Sequence, residues 1–487
     1  MRVAIIGCGI TGMSAGIILQ KAGIDTVIFE KTDKPGGVIS VYKKGDMLIN
    51  NALEFVYGFA QHTFANDMWQ SLGMFTKSPE IKTCFNTFSW DGHSVSVYKD
   101  FDKTVNELIA ISPQDKKAVL RLSKSIKKFQ KIELPLITKA SDNIFGRLLR
   151  QFMNCFTVIP DVLYYGTKKC NRYGKKLKGC DLKKFFSEIL NSDRSLLQYI
   201  VLWSFISSGN FNVPDGNQKG MVDTLYNNYV KSGGKVQFCS SLNDLTIKNK
   251  NIFALNFSDN TVNDFDYVIF SNDIASVNAI MNNSDNRLTL LERIAKKEHV
   301  TSSCMLYFKL GCADSCSVVD NLSIRCAPIK VGSRYVNNFS VRVQQNTDTD
   351  VTGISVTLYQ NETDFLEWKK IINSGIEEYN REKRRIAQSI IIAIEEYFTE
   401  IRGKLQLCDM VTPLTYYRYT GVNYGGWMPE SWNPLIYLFF GRGHMPGIKN
   451  ASIAGQKVFP MGGTTIGAYS GIKLAERIIK LADKKHK

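Results

Sequence analysis

Histidine is scarce in this chain: the five residues His62, His93, His299, His444 and His486 are spread over 487 positions. No metal-ligand spacing and no acyl-transfer triad is evident, the dispersed histidines read as surface or packing residues, and we expect no metal. Cysteine is commoner, at eleven, yet no C-x-x-C pair occurs. Cys312 and Cys316 stand four apart with no histidine near them, which argues against a zinc site or a redox dithiol and for free thiols in a reducing compartment. There is no Pro- or Ser-rich linker and no internal repeat. The longest apolar run, residues 195–207, falls short of the roughly 20 residues a membrane-spanning helix needs. Met1 leads straight into an apolar run at residues 3–6, leaving no room for a secretory leader. The expectation is a cytoplasmic protein, at most peripheral on a membrane. Acids are also in deficit, with 45 Asp and Glu against 61 Lys and Arg, a formal charge of +16. A surplus of that size implies nucleic acid, an anionic membrane or an acidic substrate. No nucleic-acid module is present, so nucleic acid is not expected. The cations crowd residues 124–184, interleaved with apolar stretches at 144–153 and 158–165. That is the pattern of a helical insert lying on an anionic bilayer, the alternative being a solvated lysine-rich face.

The N-terminus is the most informative stretch. Residues 3–6 suit a buried parallel strand, Gly7, Gly9 and Gly12 follow at once, and residues 13–22 suit a helix. In that context a G-x-G-x-x-G pattern reads as a dinucleotide site. Gly7 permits the turn, Gly9 lets a pyrophosphate approach the backbone, and Gly12 lets helix and strand pack closely. Phosphate then sits on the helix N-terminus. Glu30 ends a second apolar run, residues 26–29, where an acid accepts ribose hydroxyls and disfavours the 2′-phosphate of NADP.

Strand-like and helix-like runs recur far downstream. A helix at 221–231 passes through Gly233 and Gly234 into a strand at 235–239; alternating segments follow at 242–247, 252–257 and 261–265, and an apolar run at 266–273 ends in polar residues. A strand at 451–455 and a helix at 465–481 close the chain. Residues 1–75, 206–290 and 441–487 thus form a nucleotide domain built from separated segments, and residues 76–205 and 291–440 a covering domain. Strands at 303–310 and 354–359 and an amphipathic helix at 376–397 suit a sheet with helices over one face.

Together these segments resemble, nearly end to end, the phytoene desaturase family of FAD-dependent oxidoreductases, within the amine-oxidase-like flavoproteins. The resemblance implies an α/β fold: a Rossmann-like, glutathione-reductase-like FAD domain made of discontinuous segments, with a second α+β substrate domain. It assigns FAD contacts to Gly7, Gly9, Ile10, Thr11, Gly12, Glu30, Lys31, Gly36, Gly37 and Val38. Residues 46–58 resemble the segment returning beneath the flavin, and residues 111–115 a short element opening a helix. The stretch from Asp215 resembles a glycine-rich family element, with Asp215 and Lys219 departing from it. Residues 233–242 resemble the strand and turn whose backbone meets adenine, which assigns Val236. Residues 454–471 resemble the closing flavin motif, assigning Gly455, Gln456, Gly462, Gly463 and Ile466; Thr464, Thr465 and Ile466 stand where relatives often carry glycine and proline. A helix start there would stabilise the anionic character of reduced flavin.

The implied activity is to introduce, remove or isomerise a carbon–carbon double bond in a long isoprenoid or carotenoid. The aromatic stretch 416–432 resembles a segment on the flavin's substrate side, and His444, Tyr424 and Trp427 are the candidates to line the reacting centre. An amine or amino-acid oxidase, and a flavin-free prenyl-binding protein of the GDI type, are alternatives. Glu30 together with an intact closing motif favours a flavin-bearing chain over the latter. Substrate, direction of reaction and electron acceptor are not written in the sequence.

Overall fold

The computed structural model describes residues 1–487 with the exception of 40, 46, 51–54, 76–82, 134–143, 191–194, 213–216, 284–288, 297–298, 311–320, 346–351, 430–444, 446, 460–461 and 486–487. Its first strand, Arg2–Ile6, buries Val3, Ala4, Ile5 and Ile6. A strand apolar on both faces belongs in the middle of a parallel sheet. Asp25–Phe29 pairs with it on one side and Tyr267–Phe270 on the other; Lys235–Gln237 and Ala451–Ile453 take the two edges, all in parallel. Alternation then sorts the side chains. Val3 and Ile5 face the helices Ile10–Lys21, Asn217–Lys231 and Gly463–Lys485. Ala4 and Ile6 face an antiparallel meander, Leu242–Lys248, Asn251–Phe257 and Thr261–Val262, and the helices Ile274–Asn283 and Thr289–Lys296.

The second sheet is mostly antiparallel and runs Leu405–Val411, Val300–Leu310, Thr352–Gln360, Arg334–Gln345, Asn321–Val331, Cys84–Trp90, His93–Tyr98, with Met428–Pro429 paired to the start of Val300–Leu310. The helices Glu362–Asn373 and Ile376–Tyr397 pack on one face. Beyond its far edge, Phe101–Ile111, Lys116–Phe129, Ile144–Tyr165 and Leu196–Ser207 gather around Phe88, Trp90, Val95 and Val97.

The strands at 303–310 and 354–359 and the helix at 376–397 stand where sequence places them. So does the short element at 111–115: the 3-10 turn Pro113–Asp115 opens Lys116–Phe129. The hairpin Asn321–Val331 and Arg334–Gln345 was not expected, because an irregularity between Arg325 and Ile329, holding Pro328, breaks the alternation that marks a strand. The apolar stretches 144–153 and 158–165 form one helix that runs through Pro160. Among the described residues no helix is long and apolar enough to cross a membrane.

Candidate functional site

Four strands of the parallel sheet, Arg2–Ile6, Asp25–Phe29, Tyr267–Phe270 and Ala451–Ile453, end on one cavity of about 2460 Å³. Their C-terminal edge, beside the point where strand order reverses, is where open parallel sheets bind ligands. Gly7 makes the turn out of the first strand with φ +107°. Its N–H donates to the Phe29 carbonyl at 2.8 Å, and the Ser271 hydroxyl donates to the carbonyls of Ile6 and Gly7 at 2.8 and 2.9 Å. Gly12 lies so close beneath that a Cβ there would stand 2.1 Å from the Gly7 carbonyl oxygen. Gly9 serves a different purpose: a Cβ on it would meet no atom within 4 Å, and it lines the cavity. The helix Ile10–Lys21 starts there, so its unpaired first-turn N–H groups end on the cavity with Ile10 and Thr11. The Gly36 N–H donates to the Cys8 carbonyl at 2.9 Å, joining the Gly36, Gly37 and Val38 wall to this loop.

Glu30 is 6% exposed and lines the cavity, as does Lys31. Its Oε2 accepts from the Cys8 N–H at 2.8 Å, and its Oε1 accepts from the Thr32 N–H and hydroxyl at 3.0 and 2.9 Å. A carboxylate has about four acceptor positions, so one remains for a hydroxyl in the cavity. Burial, then the Glu30 charge, pushes the Cys8 thiol up to about 12, which keeps it protonated and unreactive.

Gly455, Gln456, Gly462, Gly463 and Ile466 form the opposite wall. Gln456 accepts from the Gly463 N–H at 2.9 Å and donates to the Trp427 carbonyl at 2.7 Å; the Thr465 hydroxyl donates to the Tyr57 carbonyl at 2.8 Å. The start of the closing helix is thereby tied to the segments around Tyr57 and Trp427. Beside it Lys457 pairs with Asp273 at 2.6 Å, at 8% and 3% side-chain exposure. Asp273 also accepts from the Asn423 N–H at 2.9 Å.

Past that wall the cavity runs between aromatic rings and the second sheet. Tyr57 packs on Phe205 at 4.4 Å, and Phe55 on Phe211 and Phe85 at 5.6 Å each. Tyr416 and Trp427 face the cavity as well; the Trp427 indole N–H donates to the Ser303 hydroxyl at 3.1 Å. Among the described lining residues are nine lysines and arginines and four carboxylates. All four carboxylates are engaged: Glu30 as above, Asp273 with Lys457, Asp409 with the Tyr42 hydroxyl at 2.8 Å, and Glu188 with Arg325 at 3.3 Å.

Sequence reasoning named Val236 and Tyr424, and the structure brings neither to the cavity. Val236 sits in the edge strand, paired with Ile28; the chain reaches the cavity only at Ser240. Tyr424 lies in the 3-10 turn Asn423–Gly425 with φ +52°, which sends its ring edge-on against Phe365 at 5.6 Å. His444, Asp215 and residues 430–432 lie outside the described residues. The Lys457–Asp273 pair and the Phe55, Tyr57, Phe205, Phe211 wall were not foreseen, since no spacing in the sequence joins residues so far apart.

Residues 5–72 match the family model for an NAD(P)-binding Rossmann-like domain. Over 511 aligned residues the chain is 20% identical to the chloroplastic prolycopene isomerase of Daucus carota, covering 97% of this chain and 79% of that protein. Over 53 residues it is 47% identical to the FAD-dependent urate hydroxylase of Mycolicibacterium vanbaalenii, covering 10% of this chain and 13% of that one. Cyclohexylamine oxidase from Brevibacterium oxydans superposes with a TM-score of 0.61 at 12% identity, 99% of each chain being covered. The chain therefore has a Rossmann-like domain within the fold of the amine-oxidase-like flavoproteins, and it carries weak, nearly full-length homology to the prolycopene isomerases.

Proposed function

We propose that this chain is an FAD-dependent oxidoreductase that introduces, removes or isomerises a carbon–carbon double bond in a long hydrophobic, isoprenoid-like substrate. The observation that carries the reading is the single cavity joining the glycine loop to an aromatic chamber. At about 2460 Å³ it exceeds the roughly 300–1,000 Å³ of a pocket for one drug-sized ligand, leaving room for a dinucleotide and an extended hydrocarbon together.

The residues present fit FAD. The open flank of Gly9 and the N–H groups at the start of Ile10–Lys21 suit a pyrophosphate, the spare acceptor position of Glu30 suits a ribose hydroxyl, and the helix start at Gly463 suits the ring system. The cationic excess of the lining suits a diphosphate. Bound FAD supplies hydride transfer to or from carbon. Gln456 fixes the helix start against the Trp427 segment, while Phe55, Tyr57, Phe205 and Phe211 keep the chamber apolar and exclude water. An alkylammonium substrate would meet no unengaged carboxylate among the described lining residues and several cations, which supports a neutral hydrocarbon over an amine.

The test is an absorption spectrum of the purified protein, incubated with FAD, followed through anaerobic photoreduction and readmission of air. Bound flavin that reoxidises slowly and is turned over by polyenes in liposomes is the expected result. Rapid reoxidation with amine turnover would install the amine-oxidase reading. No flavin uptake at all would sink the enzyme reading and leave a GDI-like prenyl-binding role.

A further inference from the structure

The helix Ile144–Tyr165 is apolar on its outer face as well as on the face that meets the core. Between residues 151 and 165 its one charged residue, Asp161, points inward, where it accepts from the Ser125 hydroxyl at 2.7 Å and pairs with Lys128 at 2.6 Å. Val158 and Tyr165 pack inward into the core, but five further apolar residues point outward: Met153, Phe156, Ile159, Val162 and Leu163 are exposed, Leu163 by 74%. An ordinary surface helix keeps charged and polar residues on its outer face. A contiguous exposed stripe of large apolar side chains marks a surface meant to be covered.

Its surroundings identify the cover. The adjoining helix Lys116–Phe129 has no acid at any position and exposes Arg121 and Lys124 beside Leu120. Arg121 reaches the stripe's own helix, its guanidinium 4.4 Å from the centre of the Tyr164 ring, and Lys168 lies over the same ring. Lys169 is exposed one residue on. An apolar strip bordered by cations is complementary to a layer with anionic headgroups above and acyl chains below. A protein partner would need a matching acidic rim around an apolar groove, whereas a bilayer offers both along the length of the helix. The stripe also ends at the cavity: Gly166, Lys169, Ser195 and Leu197 line it, and the Leu196 N–H donates to the Lys168 carbonyl at 2.8 Å, tying the two segments together.

We infer that the exposed stripe Met153, Phe156, Ile159, Val162 and Leu163, with the cations of Lys116–Phe129, docks on an anionic lipid bilayer, with the cavity opening beside the docked surface. That the bilayer also delivers the substrate rests on the isoprenoid reading above; the docking does not.

The experiment is sedimentation of the full chain with vesicles of phosphatidylserine and phosphatidylcholine in equal parts, against vesicles of phosphatidylcholine alone. Wild type should pellet with the anionic vesicles and be released by high salt. Phe156→Glu and Leu163→Glu, both at exposed positions, should each weaken partitioning by about tenfold or more. Circular dichroism and the thermal midpoint check that these variants remain folded. Leu163→Trp should tighten binding, which guards against a misfolded glutamate variant. Equal binding to neutral vesicles, no binding to either, or glutamate variants that bind like wild type would overturn the assignment. So would a wild-type dimer in lipid-free solution that Leu163→Glu dissociates, since the stripe would then be an interface between copies. Pelleting is read with or without flavin, so it fails or succeeds independently of the redox tests.

Discussion

Exchanging Gly9 for alanine separates holding the fold from holding a cofactor. Gly9 has φ −82° and an extended ψ, which alanine adopts without strain, and its Cβ would meet no protein atom within 4 Å. In the cofactor-free protein the change reduces the entropy of the unfolded chain, worth about 0.4–1 kcal/mol. It also replaces a tolerated N-cap residue by a poor one, a loss of roughly the same size. The thermal midpoint should therefore move by no more than about 2–4 °C. Binding should suffer far more. A methyl group between the loop and a pyrophosphate would lift the phosphates off the first-turn N–H groups. Two charge-assisted hydrogen bonds at about 1.5–3 kcal/mol each are then at stake, a weakening on the order of 10²–10⁴-fold. Gly12→Ala is the contrast, because its Cβ would stand 2.1 Å from the Gly7 carbonyl and must push helix from strand whether or not cofactor is present. The assay pairs thermal unfolding of the apoprotein with titration of FAD by fluorescence quenching. If Gly9→Ala bound FAD within about threefold of wild type, or lost apoprotein stability as Gly12→Ala does, the placement of the pyrophosphate would be refuted.

Asp273→Asn strands the buried Lys457 ammonium and should cost about 3–5 kcal/mol, most of it recovered when Lys457→Met is added; thermal denaturation of both variants checks this, and equal losses would exclude the ion pair as the cause. Lys383, which lines the cavity 3.9 Å from Asp409, has its ammonium held below the usual 10.5 by burial, against the pull of Asp409. Between that lowered value and 10.5 the unfolded chain holds a proton that the folded chain has shed, so this lysine's contribution to stability rises with pH across that window. The wild-type midpoint should accordingly gain on Lys383→Met as pH rises toward 10.5, and a difference flat in pH would contradict the burial. Cys180 and Cys239 are exposed whereas Cys8, Cys170 and Cys304 are buried. A thiol reagent should label the first two rapidly and the other three only on unfolding, as peptide mapping would show.

The nucleotide half of the fold was legible because its signals are local. A four-residue apolar run, three glycines and an acid at the end of the next strand each report a backbone requirement that only their own neighbours create. The structure places the glycine loop and Glu30 together on the cavity wall. The second sheet was less legible. Its hairpin from Asn321 to Gln345 carries an irregularity and a proline in mid-strand, and its polar positions are satisfied by partners far along the chain, as where Asn321 donates to the Phe85 carbonyl. The same limit applies within the site. From 416 to 429 the sequence presents a run of aromatics with nothing to rank them, and the turn Asn423–Gly425 decides that Trp427 faces the cavity while Tyr424 packs on Phe365.

Charge links the site to the surface. Among the described lining residues each of the four carboxylates is engaged by a protein donor or cation, whereas most of the cations are offset by none of them. The wall past the closing helix is built of rings, Phe55, Tyr57, Phe205 and Phe211 among them, whose contribution is shape and dryness. Such an arrangement leaves the chemistry to a bound cofactor and asks little of the substrate beyond apolarity and length. A substrate of that kind is scarcely soluble in water and has to be met where it dissolves. An exposed apolar helix with a cationic border at the cavity's edge satisfies that requirement, and the vesicle and flavin experiments test its two halves separately.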